Sequence, residues 1–264
     1  MSRRHQARQA LAAIPGFETA DVLDSLSDGP TNASFLVEND GASFVLRVDK
    51  AAAARLGLDR ENERLVLSSL STAGLVPAAE YFDAAGGVFL RPFLPGRSWI
   101  EADLAHDQNL ARLAKLLRRL HALPPLGKTF DPLAAAERYA AGLATEQAQD
   151  ILQKAAALWS ESSPNSSTAL CHNDLLCQNI IEAEDGQLML IDWEYAAVGD
   201  PFFDLAIVVQ HHGLQESRAG YFLESYLGRP ATMAEQIHLS QKCRFYQHLL
   251  DLWNLAASYE ESTV

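Results

Sequence analysis

The stretch Arg91-Pro-Phe-Leu-Pro-Gly-Arg97 divides this chain. Two prolines and a glycine so close together remove backbone donors, fix φ and oppose a continuing helix or central strand. The sequence on its two sides obeys different periods. Before it, Ser34-Phe-Leu-Val and Ser43-Phe-Val-Leu-Arg-Val are β-rich runs joined by Asn39-Asp40-Gly41, residues that favour a tight hairpin turn. Ala79-Glu-Tyr-Phe and Val88-Phe-Leu-Arg-Pro-Phe read as a second strand pair around Gly86-Gly87. Between the pairs, Leu56, Glu63, Leu67 and Leu70 fall near helical spacing, and the pattern stops at Gly74 with Pro77 beyond. After the divide, Leu104 to Leu123 carries apolar residues at helical spacing up to Pro124-Pro125, and alanine-rich Pro132 to Trp159 does the same. Ser160 to Thr168 is a serine-rich loop, Leu188 to Asp192 a short buried strand, and the end from Phe203 onward is helical. The predicted class is α+β. A small mixed lobe over 1–90 is joined by a hinge over 91–97 to a larger, mainly helical lobe over 98–264, with a cleft between them.

The 264 residues suffice for such a pair of lobes with a real core. The 21 Lys+Arg against 34 Asp+Glu give a net charge of −13. That balance opposes non-specific nucleic-acid binding, which needs a basic face to displace phosphate counterions, and docking on anionic membranes. Cys171, Cys177 and Cys243 form no Cys-x-x-Cys pair, which argues against a disulfide framework or a structural zinc site. Arg3-Arg4 has the look of a twin-arginine signal, but the apolar stretch from Ala10 to Ile14 stops at Pro15 and makes no h-region. No apolar run approaches the length of a membrane span. The expected compartment is the reducing cytoplasm.

The chemistry is concentrated between Cys171 and Ala206. His172-Asn-Asp174-Leu-Leu-Cys-Gln-Asn179 is followed by Leu190-Ile-Asp192-Trp-Glu194-Tyr195 and Asp200-Pro-Phe-Phe-Asp204. Phosphoryl transfer from MgATP needs a carboxylate near the attacking hydroxyl and oxygen ligands for magnesium beside the phosphates. A His-x-Asp-x4-Asn loop supplies both on one short segment. Asp174 can accept the hydroxyl proton, Asn179 can turn its amide oxygen to the metal, and Asp192, ending an apolar strand, completes the metal shell. Asp204 is expected to hold the loop by accepting hydrogen bonds, and Asp200 to cap a helix. His211-His212 are adjacent on a helical pattern and do not face one ligand. Cys171 and Cys177, flanking the loop, read as small packing residues. Neither a Walker A motif nor a nucleotide-binding Gly-x-Gly-x-x-Gly is present.

Across essentially its whole length the chain resembles the aminoglycoside phosphotransferase and choline kinase superfamily of small-molecule kinases. His-Asn-Asp-x4-Asn, Ile-Asp-Trp-Glu-Tyr-Ala and Asp-Pro-x2-Asp-Leu-Ala are most similar to its bacterial choline/ethanolamine and thiamine kinase branch. The resemblance implies the two-lobed protein-kinase-like fold with ATP and Mg2+ as cofactors. It makes Asp174 the catalytic base, Asn179 and Asp192 the metal ligands, and His172 a scaffold of the catalytic loop. Arg47 stands where the family grips the ATP phosphates, with Glu63 as its helix partner and Glu61, two residues away, as the alternative. Gly29, Thr31 and Asn32 lie in the phosphate-covering turn, which has one glycine only. Arginine at Arg47 can hold two oxygens at once, which a lysine cannot. Asp-Phe-Gly is absent, and Asp192-Trp193-Glu194 takes its place.

The same branch implies a small, cationic alcohol as acceptor, held by aromatic faces and carboxylates. Glu194, Tyr195 and Trp253 are the candidate acceptor residues, with Asp251 and Glu224 as looser counter-charges. Choline or ethanolamine ranks first, thiamine second, and an aminoglycoside or sugar third. Two other readings stand beside this one. A catalytically silent nucleotide-binding protein is disfavoured because Arg47, Asp174, Asn179 and Asp192 are all present. A protein kinase is disfavoured by the missing activation-segment signals. The sequence fixes no oligomeric state.

Overall fold

The computed structural model describes residues 3–143, 145–160 and 168–262. Its contacts divide the chain into two compact units, one running to Pro95 and the other over Gly96–Tyr259. The first holds α1 (Arg3–Ala12), β1 (Asp21–Asp28), β2 (Asn32–Asn39), β3 (Ala42–Asp49), α2 (Ala52–Arg55), α3 (Arg60–Thr72), β4 (Tyr81–Asp83) and β5 (Val88–Pro92). Its five strands form one antiparallel sheet in the order β1-β2-β3-β5-β4. The β2–β3 hairpin turns on Asp40 and Gly41, both at positive φ, as two-residue hairpins of this hand require. One sheet face is sealed by α1: Ala7, Leu11 and Ile14 pack with Phe35, Val37, Leu46 and Leu90.

Two elements here have almost no sequence signal. Only Ala7 and Leu11 of α1 are buried, so its apolar stripe is too thin to read. β1 buries Val22 alone and twists through two register shifts, so strict alternation never develops. The segment predicted as a linker over 91–97 carries strand residues at both ends. β5 continues through Pro92, beyond the span that β4 covers, where the missing proline N–H interrupts no ladder. β6 (Arg97–Ser98) begins at once on the other side. Gly96 makes that start feasible. At φ +147°, a Cβ there would lie 2.4 Å from the Glu182 carbonyl oxygen.

The second unit continues with α4 (Asp107–His121), α5 (Pro132–Ala141), α6 (Glu146–Ser160), β7 (Ala169–Cys171), β8 (Ile180–Glu182), β9 (Leu188–Leu190), β10 (Ala197–Gly199), α7 (Pro201–His211), α8 (Glu216–Leu227) and α9 (Met233–Ser262). β6, β8 and β9 pair in one small sheet, and β7 pairs with β10. α4 buries Leu110, Leu113, Ala114, Leu117 and Leu120 along a single face. Each buried leucine contributes about 2 kcal/mol, which outweighs any local preference in fixing this helix as the central support. The single helical segment predicted over 132–159 is two helices. α5 ends at Gly142, and a new N-terminus forms where Thr145 Oγ1 accepts the Ala148 N–H at 3.2 Å. Of the serine-rich loop predicted over 160–168, Ser160 is the last residue of α6, and 161–167 lie outside the described residues. Among the described residues, no helix is long and apolar enough to cross a membrane.

Candidate active site

The residues expected to meet a nucleotide lie in the first unit. The turn after β1 is short and braced from the end of β3. Thr31 and Asn32 are buried, and Asn32 Nδ2 donates to Thr31 Oγ1 at 3.1 Å. The Thr31 carbonyl accepts the Lys50 N–H at 2.8 Å. Lys50 Nζ donates to the Gly29 carbonyl and pairs with Asp28 at 2.7 Å. Lys50 is a cation the sequence reading passes over. Its signal is register: Asn32 lies opposite Asp49, so the next residue faces the turn.

Arg47 sits in the middle of the sheet, opposite Ser34 on β2 and Phe89 on β5. It is only 6% exposed, and its guanidinium lies 5.1 Å from the centre of the Phe89 ring. Both terminal nitrogens bond Glu63, at 2.6 and 2.7 Å. Burial by itself would raise the Glu63 carboxyl, but the Arg47 and Arg60 guanidinium groups outweigh it and hold the group below its ordinary value. Glu61 faces the other way, exposed and paired with Arg64 at 2.9 Å. Of the two glutamates, Glu63 is therefore the one that meets Arg47.

In the second unit the loop between β7 and β8 is fixed atom by atom. His172 is fully buried. Its Nδ1 accepts the Asp174 N–H at 3.2 Å, so Nε2 carries the proton and donates to the Ile191 carbonyl at 3.0 Å. Burial also lowers the imidazole's proton affinity, against the pull of Asp204. A neutral ring with both nitrogens on backbone is a strut, not a proton carrier. Asp204, fully buried on α7, accepts the backbone N–H of His172 at 2.8 Å and of Asn173 at 2.7 Å. Its third partner is His121 Nε2 at 3.0 Å, and that ring's Nδ1 lies 2.8 Å from the Tyr226 hydroxyl. Asn173 adopts φ +62°, a left-handed conformation that asparagine tolerates.

These restraints present Asp174. Asn179 Nδ2 donates to Asp174 Oδ2 at 2.8 Å and to its carbonyl at 2.9 Å. Both bonds come from the amide nitrogen, so Asn179 Oδ1 is the atom of this side chain that could ligate a cation. The Asn179 carbonyl accepts the Ile191 N–H at 3.0 Å, zipping the loop's end to the residue before Asp192. Asp192 follows at φ +67°. Burial, then the charges of Asp192 and Glu194, hold the Asp174 carboxyl well above the ordinary carboxylate range. The Asp192 carboxylate and the Asn179 amide oxygen are hard donors, the kind that suits a divalent cation such as Mg2+.

The phosphotransferase enzyme family model matches residues 23–235, from the first strand of the sheet into the last helix. The chain belongs to that family. This phosphotransferase is 30% identical to protein LicA of Haemophilus influenzae over 209 residues, 75% of the chain and 60% of LicA. Against a second Haemophilus influenzae LicA sequence, strain Rd, the match is 30% over 74% of the chain and 76% of the relative. Among solved structures, a choline/ethanolamine kinase family protein from Mesorhizobium loti superposes with a TM-score of 0.78 at 23% identity, covering 98% of this chain and 88% of that one. LicA in complex with AMP gives 0.83 at 18% identity, covering 98% and 92%. The fold is the protein-kinase-like α+β fold of those neighbours.

The phosphotransferase's aromatic residues adjoin the loop. Asn173 Nδ2 donates to the Tyr195 carbonyl at 3.1 Å, and Trp253 Nε1, on α9, donates to the Tyr195 hydroxyl at 3.0 Å. Glu194 is buried beside them. Tyr139, on α5, was not singled out from the sequence. Burial first, then the charges of Asp174 and Glu194, push its hydroxyl up to about 12. Nothing in an alanine-rich helix marks it locally, since its neighbours come from elsewhere in the chain. Asp251 and Glu224 are engaged otherwise: Asp251 accepts from Gln247 at 2.8 Å, and exposed Glu224 accepts the Ala231 N–H at 3.3 Å. His211 and His212 diverge, towards the Tyr246 hydroxyl at 3.0 Å and towards Cys177 at 3.6 Å.

Asp200 caps α7 ahead of Pro201, accepting the Phe202 N–H at 3.0 Å. His238 at 2.7 Å and Lys242 at 3.1 Å also reach it. Burial works against the charged form, but His238 and Lys242 prevail and hold the carboxyl at about 2. A depressed carboxyl stabilises the fold above its unfolded value and loses that contribution as pH falls through its folded value. Urea unfolding is therefore expected to show Asp200→Asn weaker than the natural chain by about 2 kcal/mol at pH 6, with the gap closing between about pH 4 and 2.

Proposed function

We propose that this chain transfers the γ-phosphoryl group of MgATP to the hydroxyl of a small cationic alcohol. Choline or ethanolamine comes first, then thiamine, then aminoglycosides or sugars. The observation that carries the reading is the direct link between the Asp174 loop and the Tyr195–Trp253 pair through Asn173. A carboxylate suited to a hydroxyl proton thus has its loop hydrogen-bonded to the segment that carries Tyr195 and the buried Glu194, groups of the kind that receive a fixed cation. The choline/ethanolamine kinase name of one structural neighbour and the AMP bound to another support the same choice.

In this mechanism Arg47 holds phosphate oxygens, with Gly29, Thr31 and Asn32 in the covering turn. Asp174 orients the acceptor hydroxyl and takes its proton as it attacks. Asn179 fixes the rotamer of Asp174, and His172 with Asp204 fixes the backbone beneath it. Asn179 and Asp192 would hold Mg2+, which when bound would neutralise charge on the transferring group. Transfer is direct. Neither cysteine flanking the loop is an activated nucleophile: burial pushes the Cys171 thiol well up and that of Cys177 to about 11. Three unpaired thiols and a demand for ATP fit a cytoplasmic enzyme.

The test is ADP release from MgATP with choline, ethanolamine, thiamine, kanamycin and simple sugars. Choline or ethanolamine is expected to raise release well above the ATP-only background. Release with kanamycin or sugars alone would replace the acceptor. No release with any of them, from protein that binds ATP, would favour the silent binding protein.

A further inference from the structure

A second cation is buried beside Arg47. Arg60, the first residue of α3, is 8% exposed. It grips Asp49 with Nε at 2.7 Å and Nη2 at 2.8 Å, and its Nη1 donates to Glu63 Oε2 at 2.7 Å. That same oxygen accepts Arg47 Nη2 at 2.7 Å, and Asp49 lies 3.8 Å from Arg47 Nε. The four side chains close a ring of two cations and two anions. Its formal charge is zero. A cation at a helix N-terminus opposes the helix dipole, so Arg60 is not there for the sake of α3. Asp49 is held from behind. Its N–H donates to the Gly87 carbonyl at 2.9 Å, and a Cβ at Gly87 would lie 2.7 Å from the Asp49 Cβ.

Glu63 is 1% exposed, and a carboxylate that deep needs a cation at all times. With Arg47 as its one partner, any phosphate that drew the Arg47 guanidinium would do so at Glu63's expense. We infer that Arg60 is a positioning residue for the nucleotide: it keeps Glu63 compensated so that the Arg47 charge is left for phosphate, while Asp49 balances Arg60 itself. The inference rests on the reading of Arg47 as the phosphate-holding residue. In it, the ring's net charge, not merely its integrity, sets affinity for polyphosphate.

Two substitutions break the same ion pair and move the charge in opposite directions. Arg60→Gln leaves the ring at −1, and Asp49→Asn leaves it at +1. Titration calorimetry of the full chain with MgATP is expected to show affinity falling about tenfold or more in Arg60→Gln and holding or rising in Asp49→Asn. The double variant Arg60→Gln/Asp49→Asn returns the ring to zero and is expected to recover most of the loss, as is Arg60→Lys. Adenosine, which has no phosphate, is expected to bind all variants alike. In turnover assays the Arg60→Gln change falls mainly on KM for ATP and not on kcat. Loss of affinity in the same direction in both single variants, or equal loss for adenosine, would reduce Arg60 to a fold contact and overturn the inference. If Arg60→Gln does not fold, Asp49→Asn and the double variant still decide it. A natural chain that bound adenosine but gained nothing from the phosphates would instead remove the reading of Arg47, and this inference with it.

Discussion

Asp174→Asn is expected to lower kcat by roughly 10²–10⁴-fold, the range a general base contributes, while ATP binding persists. The two effects separate because the substitution is nearly isosteric. Asn179 Nδ2 can still donate to the new side chain's oxygen, and the Asp174 backbone N–H still reaches His172. The loop therefore keeps its shape. What disappears is the proton acceptor, together with one negative charge from a group that already repels Asp192 and Glu194. Less repulsion does not weaken a polyphosphate. ADP release with a saturating acceptor measures the first effect, and calorimetry with MgATP the second. Undiminished turnover would remove Asp174 from the chemistry. Loss of both turnover and ATP binding would make it a structural or metal-holding residue instead.

The largest effect on stability is expected at Asp204. Its carboxylate accepts two backbone N–H groups and faces His121, with no exposure to water. Burial by itself would raise this carboxyl. The hydrogen bonds from the His121 ring and from the His172 backbone N–H more than offset it, and the group lies below its ordinary value. Its contribution is thus in place at neutral pH and declines as pH falls through the folded value. Asp204→Ala leaves both N–H groups and the imidazole buried without an acceptor, a loss of about 3–5 kcal/mol. Against a total of roughly 5–15 kcal/mol for a typical domain, that is a large share. The urea midpoint checks it. A loss under about 1 kcal/mol would mean that water or a backbone shift replaces the acceptor.

Candidate residues that lie within one short segment are legible in the sequence. Asp174 and Asn179 share a loop, and Asp192 follows the next apolar strand, so spacing alone brings these types together. The hairpin at Asp40-Gly41 was legible for the same local reason. What depends on packing between distant elements was not. Arg60 meets Asp49 from α3 to β3, and His121 meets Asp204 from α4 to α7, each pair joined by the fold and not by a motif. The choice between Glu61 and Glu63 shows the limit. Two residues on a helix differ in direction by over half a turn, and only the position of α3 against β3 selects Glu63. α1 and β1 stayed hidden because each buries so little that neither period emerges.

The central claim, phosphoryl transfer to the hydroxyl of a small cationic alcohol, is tested most directly by the product. A 31P NMR spectrum of purified protein with MgATP and choline is expected to show ADP and one new phosphomonoester growing together, and neither with Asp174→Asn. ATP consumption that yields only inorganic phosphate with every acceptor in the panel, or an unchanged ATP spectrum from protein that binds ATP, would contradict the account.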